Sequence, residues 1–195
     1  PFVTMKGYET IVDVLSRSGS HDNMGFAPIV QAGEEQSNWE DFAYDYFDTR
    51  ISNDGWPDMT GINKFGRGIW RMKKTENGTV RIPDNDDVTL ERGILTPIIQ
   101  CCVDNPGDPI LLFNLYSERV RRETMNGIIE CSKTMRQSFG QTQENLYESC
   151  WGMTEFVRII RFNQVQASSS IMFAPIYPAD APWEVSGFIL AIGLV

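Results

Sequence analysis

The chain has 195 residues, 42% of them hydrophobic, and sets 17 Lys and Arg against 26 Asp and Glu, a formal charge of −9 at pH 7. That length buries a sizeable core within one domain, and the acidity argues against nucleic acid or an anionic membrane surface as partner, with solubility the plainer reason for it. There is no uninterrupted apolar run of the about 20 residues that a membrane-spanning helix takes, so neither such a helix nor a secretory leader is expected within this stretch.

Residues 1–23 form a lead-in in which Ile11, Val12, Val14 and Leu15 suit a short helix that ends at Ser18-Gly19-Ser20. Met24 to Val30 is expected to be a strand, and its Phe26-Ala27-Pro28-Ile29 returns at Phe173-Ala174-Pro175-Ile176 as a second, similar strand. Gly33-Glu34-Glu35 then opens a helix. Its Trp39, Phe42, Ala43, Tyr46 and Phe47 fall at helical spacing on one apolar stripe, with Glu40, Asp41, Asp45 and Asp48 mostly on the wet side. Acidic residues suit that N-terminus, and such an aromatic stripe is expected to be core.

Asn53 to Pro57 is turn chemistry. Gly68 to Lys73 alternates as a strand does, and Glu76-Asn77-Gly78 is a hairpin-type turn. Arg81 to Asp87 is expected to be a solvated loop: Asp84, Asp86 and Asp87 lack the glycine and closing glutamate of a calcium loop. Leu95 to Val103 is another strand, which Pro97 assigns to an edge or a bulge. After the apolar run Leu111 to Leu115, Ser117 suits an N-cap. The helix that follows turns Met125, Ile128, Ile129 and Met135 inward and Arg119, Arg121, Arg122 and Lys133 outward.

Gly140 to Asn145 is a polar break. Thr154 to Phe162 carries charge on both faces, as a strand near a sheet edge does. Ile171 to Tyr177 is apolar on both faces, hence central. In the last run, Val185 to Leu194, Phe188, Leu190, Ile192 and Leu194 share a bulky face, while Ile189, Ala191 and Gly193 share a mostly small one. The order of elements predicts an α+β domain: a central antiparallel sheet with helices packed on one side. Because the chain opens at Pro1 and stops within a strand-like run, it is expected to be an excised piece of a longer protein.

The chemistry on offer is sparse. Cys101, Cys102, Cys131 and Cys150 have no metal-ligand spacing, and His21 is the single histidine. The four cysteines leave two disulfides or none open, though vicinal Cys101 and Cys102 would hardly bridge each other. No phosphate loop, nucleophile elbow or dinucleotide fingerprint is present, so the segment is expected to be no enzyme, with no catalytic residue, metal or cofactor. Asn77-Gly78-Thr79 is an N-glycosylation sequon, consistent with secretion.

An ordered set of segments resembles a known family. Phe26-Ala-Pro-Ile-Val, the helix bearing Trp39-Glu40, Thr96-Pro97-Ile98-Ile99, Asn114-Leu-Tyr-Ser-Glu-Arg-Val-Arg-Arg-Glu, Phe173-Ala-Pro-Ile-Tyr and Gly187-Phe188 are together similar to a CHASE domain. That is the extracellular sensor of cyclase and histidine-kinase receptors. The opening Pro1-Phe-Val-Thr, with the Trp-Glu helix, resembles the ectodomains of diatom and other algal receptor-type nucleotide cyclases. The resemblance implies a PAS-like sensor domain over 24–195, on the outer side of a plasma or internal membrane and flanked by transmembrane helices. It also implies a cytoplasmic guanylate or adenylate cyclase, often followed by a cyclic-nucleotide phosphodiesterase, and it admits a homodimer.

It further implies a small-molecule ligand held between sheet and helix, touched by Thr96, Ile98, Phe113, Arg136, Phe139, Phe173 and Ala191, with Arg136 as polar anchor. The acidic residue that plant cytokinin receptors place before the strand at Leu95 falls here at Gly93, with Glu91 only nearby, which puts an adenine-type ligand in doubt. A ligand-free structural or dimerising ectodomain, or the sensor of a histidine kinase, is the alternative.

Overall fold

The computed structural model describes residues 23–54, 67–101, 110–139, 149–155, 157–159, 167–178, 181 and 184–194. The expectations for the lead-in, for His21, for most of the turn at Asn53 to Pro57 and for the break after Phe139 lie outside these residues. In chain order the elements are β1 (Asn23–Pro28), β2 (Val30–Gln31), α1 (Glu34–Asp54), β3 (Trp70–Thr75), β4 (Gly78–Pro83), α2 (Asp87–Arg92), β5 (Ile94–Leu95) and β6 (Gln100–Cys101). A 3-10 turn (Leu115–Ser117), α3 (Arg119–Phe139), β7 (Gly152–Met153), β8 (Val157–Ile159), β9 (Ala167–Ile176) and β10 (Gly187–Leu194) follow.

The fold is mixed α and β around an antiparallel sheet in the order β6-β1-β10-β9-β7, with β8 pairing the start of β9. The last two long strands are neighbours, as their sequence implied, and β7 and β8 lie at the far end, where a strand charged on both faces belongs. Opposed residues in an antiparallel pair project to one side. The register Phe188↔Pro175 and Leu190↔Phe173 therefore collects bulky side chains on one face, with Ile171 two residues before Phe173 on the same side. Ile189↔Ala174 and Ala191↔Met172 face the other way.

Helix α3 covers the bulky face. Its Ser132 Oγ lies 2.6 Å from Tyr177 Oη, and a Cβ added at Gly152, opposite Phe173, would meet Thr124 Cγ2 at 2.8 Å. Glycine at 152 is what lets the helix approach the strand. Helix α1 reaches the sheet from the other side: Gln100, paired with Phe26 on that face, donates to Tyr46 Oη at 3.4 Å. The two long helices thus do not share one side of the sheet as expected.

Within α1, Trp39, Ala43, Tyr44 and Phe47 are buried while Phe42 and Tyr46 are half-buried, so the stripe is rotated slightly from the expected one. Glu40 is no solvent residue. Its Oε1 accepts the Ile69 N–H at 3.0 Å and Gln36 Nε2 at 3.0 Å. Tyr44 Oη accepts the Gly68 N–H at 2.9 Å, and burial pushes the Tyr44 phenol above its ordinary pKa.

Four further expectations are corrected. Strand β3 pairs with β4 in a hairpin of its own instead of joining the main sheet, and Val30 leaves β1 to pair with Leu95. Residues Arg81 to Pro83 are strand, and Asp87–Arg92 is a short helix between its cap Asp86 and Gly93 at φ 75°. Ser117 closes the 3-10 turn and does not cap α3. The hairpin stays apart because what links it to β1 is broken. Trp70↔Phe113 and Pro97↔Asn114 are isolated bridges, since Pro97 has no N–H to continue a ladder and Leu112 takes φ 63°. A Cys131–Cys150 disulfide, Cα–Cα 5.7 Å, ties α3 to the chain entering β7.

Candidate functional site

Beneath the N-terminal end of α3 lies the run Leu111 to Tyr116, all of it buried. Leu112 sits in left-handed backbone, a conformation that costs a non-glycine residue about 1–3 kcal/mol and tends to collect at ligand sites. It is fixed there by Leu112 N–H to Ile98 C=O (2.8 Å) and by its own C=O accepting from Trp70 N (3.0 Å). The next residue, Phe113, lies 4.8 Å from the Trp70 ring centroid, and Trp70 Nε1 donates to Leu111 C=O at 2.7 Å.

Over Phe113 stands Arg121, its guanidinium carbon 5.3 Å from the ring centroid and only 6% of the residue exposed. Its Nη1 is 2.8 Å from Glu118 Oε2 in an ion pair without hydrogen-bond alignment, and its Nε has no acceptor among the described residues. Burial lowers the Arg121 pKa, and the Glu118 charge opposes that shift. The guanidinium remains a cation, because even a depressed arginine titrates far above neutrality. A buried cation with donors to spare beside an aromatic ring has the chemistry to receive an anion.

Arg121 was expected to point outward; the structure puts it inside. It lies four residues before Met125 and seven before Ile128, on the same helical face, and both of those are buried. The residue pattern therefore held the signal, and charge alone suggested otherwise.

Next to this region a polar cluster replaces the expected solvated loop. Asp84 is 0% exposed. Its Oδ1 is met by Arg71 Nε at 3.1 Å, by Arg92 Nη2 at 3.2 Å and by the Thr89 hydroxyl. Its Oδ2 accepts Asn114 Nδ2 at 2.6 Å. Asn114 Oδ1 in turn accepts the N–H groups of Thr96 (2.9 Å) and Tyr116 (3.0 Å). Asp86 pairs with Arg71 and accepts the Thr89 N–H at 3.2 Å as the N-cap of α2. With both Asp84 oxygens occupied by partners from this chain, the cluster is scaffold: it fixes the hairpin, α2 and the Leu111–Tyr116 run to one another.

The seven residues expected to line a pocket are divided. Thr96, Ile98 and Phe113 adjoin one another, through Ile98 N–H to Phe113 C=O at 3.2 Å. Thr96 Oγ1 lies 3.7 Å from Met125 Sδ of α3. Phe173 sits on the face under α3, edge-on to Phe188 at 6.1 Å. Ala191 lies on the opposite face of the sheet, because Leu190, not Ala191, is paired with Phe173. No single cavity can be lined by both side chains. Arg136 is exposed toward the far end of α3, and Phe139 is the last residue of that helix. Asn77 lies exposed at the tip of the β3–β4 hairpin. No family model matches this chain, and no curated protein does.

Proposed function

We propose that this chain is the extracellular ligand-sensing domain of a membrane receptor, PAS-like and CHASE-type, binding a small anionic ligand between α3 and the sheet without transforming it. The observation that carries the reading is Arg121, a buried guanidinium with unmet donors over the Phe113 ring. Apolar pockets with one or two aimed polar groups are how proteins hold small molecules. The architecture supports it: first and last strands lie side by side mid-sheet, with a long helix across one face. The Cys131–Cys150 disulfide supports an oxidising location. Gly93, in the place of the acidic residue of the cytokinin receptors, is a backbone cap without a side chain, which favours an anion over an adenine. Occupancy would then bias the parent's cytoplasmic cyclase, with or without a phosphodiesterase behind it, through a difference in affinity between two arrangements.

A thermal-shift screen of small carboxylates and phosphate esters tests this on the wild type, Arg121→Met and Arg136→Met. Ligand at 100 times its Kd adds about 2.7 kcal/mol, which raises Tm by about 5–10 °C in a domain of this size. The shift should vanish in Arg121→Met and persist in Arg136→Met. Equal shifts in all three proteins, or none in the wild type, would sink the reading. A ligand-free dimerising ectodomain is favoured by one observation, the exposure of Trp151 (53%) and Met153 (60%) at the β7 edge. Sedimentation equilibrium of wild type and Met153→Lys decides that case.

A further inference from the structure

We infer that Asn77 is an N-glycan attachment site, presented by the β3–β4 hairpin. The sequon in the amino-acid sequence is a pattern; what the fold adds is its presentation. Thr75 pairs with Gly78, which leaves Glu76 and Asn77 as the loop. Every residue from Lys73 to Val80 is exposed. The turn is held by Thr75 Oγ1 donating to Gly78 C=O at 2.8 Å. Gly78 alone in it takes positive φ, 122°, with nothing within 4 Å of where a Cβ would stand. Asn77 and the Thr79 hydroxyl therefore reach the surface on the tip of a hairpin that is no part of the main sheet. Nothing of the packed core has to open for an enzyme to grip them.

The substrate class is an oligosaccharide carried on a polyprenyl diphosphate, as the secretory pathway supplies it. In the transfer, Asn77 Nδ2 forms a bond to the anomeric carbon of the first sugar. The bond from that carbon to the diphosphate oxygen breaks, its electrons leave with the diphosphate, and one amide proton is lost to base. No oxidation or reduction occurs. The second, independent pointer to that compartment is the Cys131–Cys150 disulfide. The inference shares the expected location with the proposed function, but it needs no ligand.

The test is to secrete the whole 195-residue chain from eukaryotic cells behind a foreign signal sequence, and to record intact mass and peptide maps before and after an amidase that releases N-glycans. The wild type should carry a glycan on Asn77, and release should convert that residue to aspartate. Asn77→Gln and Thr79→Ala should each be secreted without it, with Tm equal to that of the deglycosylated wild type, whereas Thr79→Ser should retain it. Secreted wild type with the disulfide formed and Asn77 unmodified would overturn the inference. Because the signal sequence imposes the compartment, that result would speak against the hairpin as an acceptor and leave the ligand reading untouched.

Discussion

Asp84→Asn is the sharpest test of how this structure holds together. The substitution keeps the side-chain volume and removes the charge that faces Arg71 and Arg92. It also turns an amide toward Asn114 Nδ2, which now donates to Asp84 Oδ2. Arg71 keeps Asp86, but Arg92 loses the Asp84 charge that faces it. Removing one partner of a buried ion pair costs about 3–5 kcal/mol. At about 2–4 °C per kcal/mol for a domain of 150–250 residues, Tm should fall by about 6–20 °C. Urea titration followed by circular dichroism gives the same quantity as a lower midpoint at unchanged slope. The exposed neighbour is the control: Asp87→Asn should stay within about 0.5 kcal/mol. Asn114→Ala should couple to Asp84→Asn by about 0.5–3 kcal/mol in a double-mutant cycle. A loss below about 1 kcal/mol at Asp84, with no coupling, would refute the claim that this carboxylate ties the hairpin to the Leu111–Tyr116 run.

Three other outcomes are expected. Phe47→Ala should cost about 3–5 kcal/mol and the half-buried Phe42 distinctly less, as thermal melts of the two would show. Replacing both Cys131 and Cys150 by alanine opens a loop of sequence separation 19 and should cost about 3 kcal/mol; an unchanged melt would mean that the bond constrains nothing. For Asp86, burial raises the pKa, but the Thr89 N–H and the Arg71 guanidinium outweigh it and hold the carboxyl below its usual value. A depressed folded pKa gives stability that is present above the unfolded value of about 3.9 and is lost as pH falls through the folded one. Tm measured from pH 6 downward should therefore show a shallower acid limb in Asp86→Asn than in the wild type.

Much of the secondary structure was legible because it rests on local periodicity. The stripe from Trp39 to Phe47 and the inward set Met125, Ile128 and Met135 fix two helices on any reading. The small and bulky faces of β10 follow from alternation alone. Alternation does not say which sheet a strand joins, so Trp70–Thr75 was placed in the wrong one. The short helix after Asp86 had a local signature, an aspartate cap and a glycine just past the end, masked by three aspartates that resembled a wet loop. Asp84 could not have been found, since its partners Arg71, Arg92 and Asn114 meet only through tertiary structure. In the candidate site, Thr96, Ile98 and Phe113 were found together. Ala191 was misplaced because a small-residue face marks a surface without saying what lies across the sheet. Arg121 was turned outward for want of following helix phase through a charged residue.

The disulfide has a mechanical consequence for α3. It pins the helix at Cys131 to the chain entering an edge strand of the sheet, while Arg121 lies ten residues away, about 15 Å along the axis at 1.5 Å per residue. Any tilt of the helix about that point would move its two ends as those of a seesaw. A displacement of about 1 Å at the Arg121 end is a rotation of about 4° over that arm, and Phe139, about 12 Å beyond the pivot, swings the opposite way by nearly as much. A weight placed at one end of a stiff rod is thus registered at the other, with the fulcrum supplied by a single covalent bond.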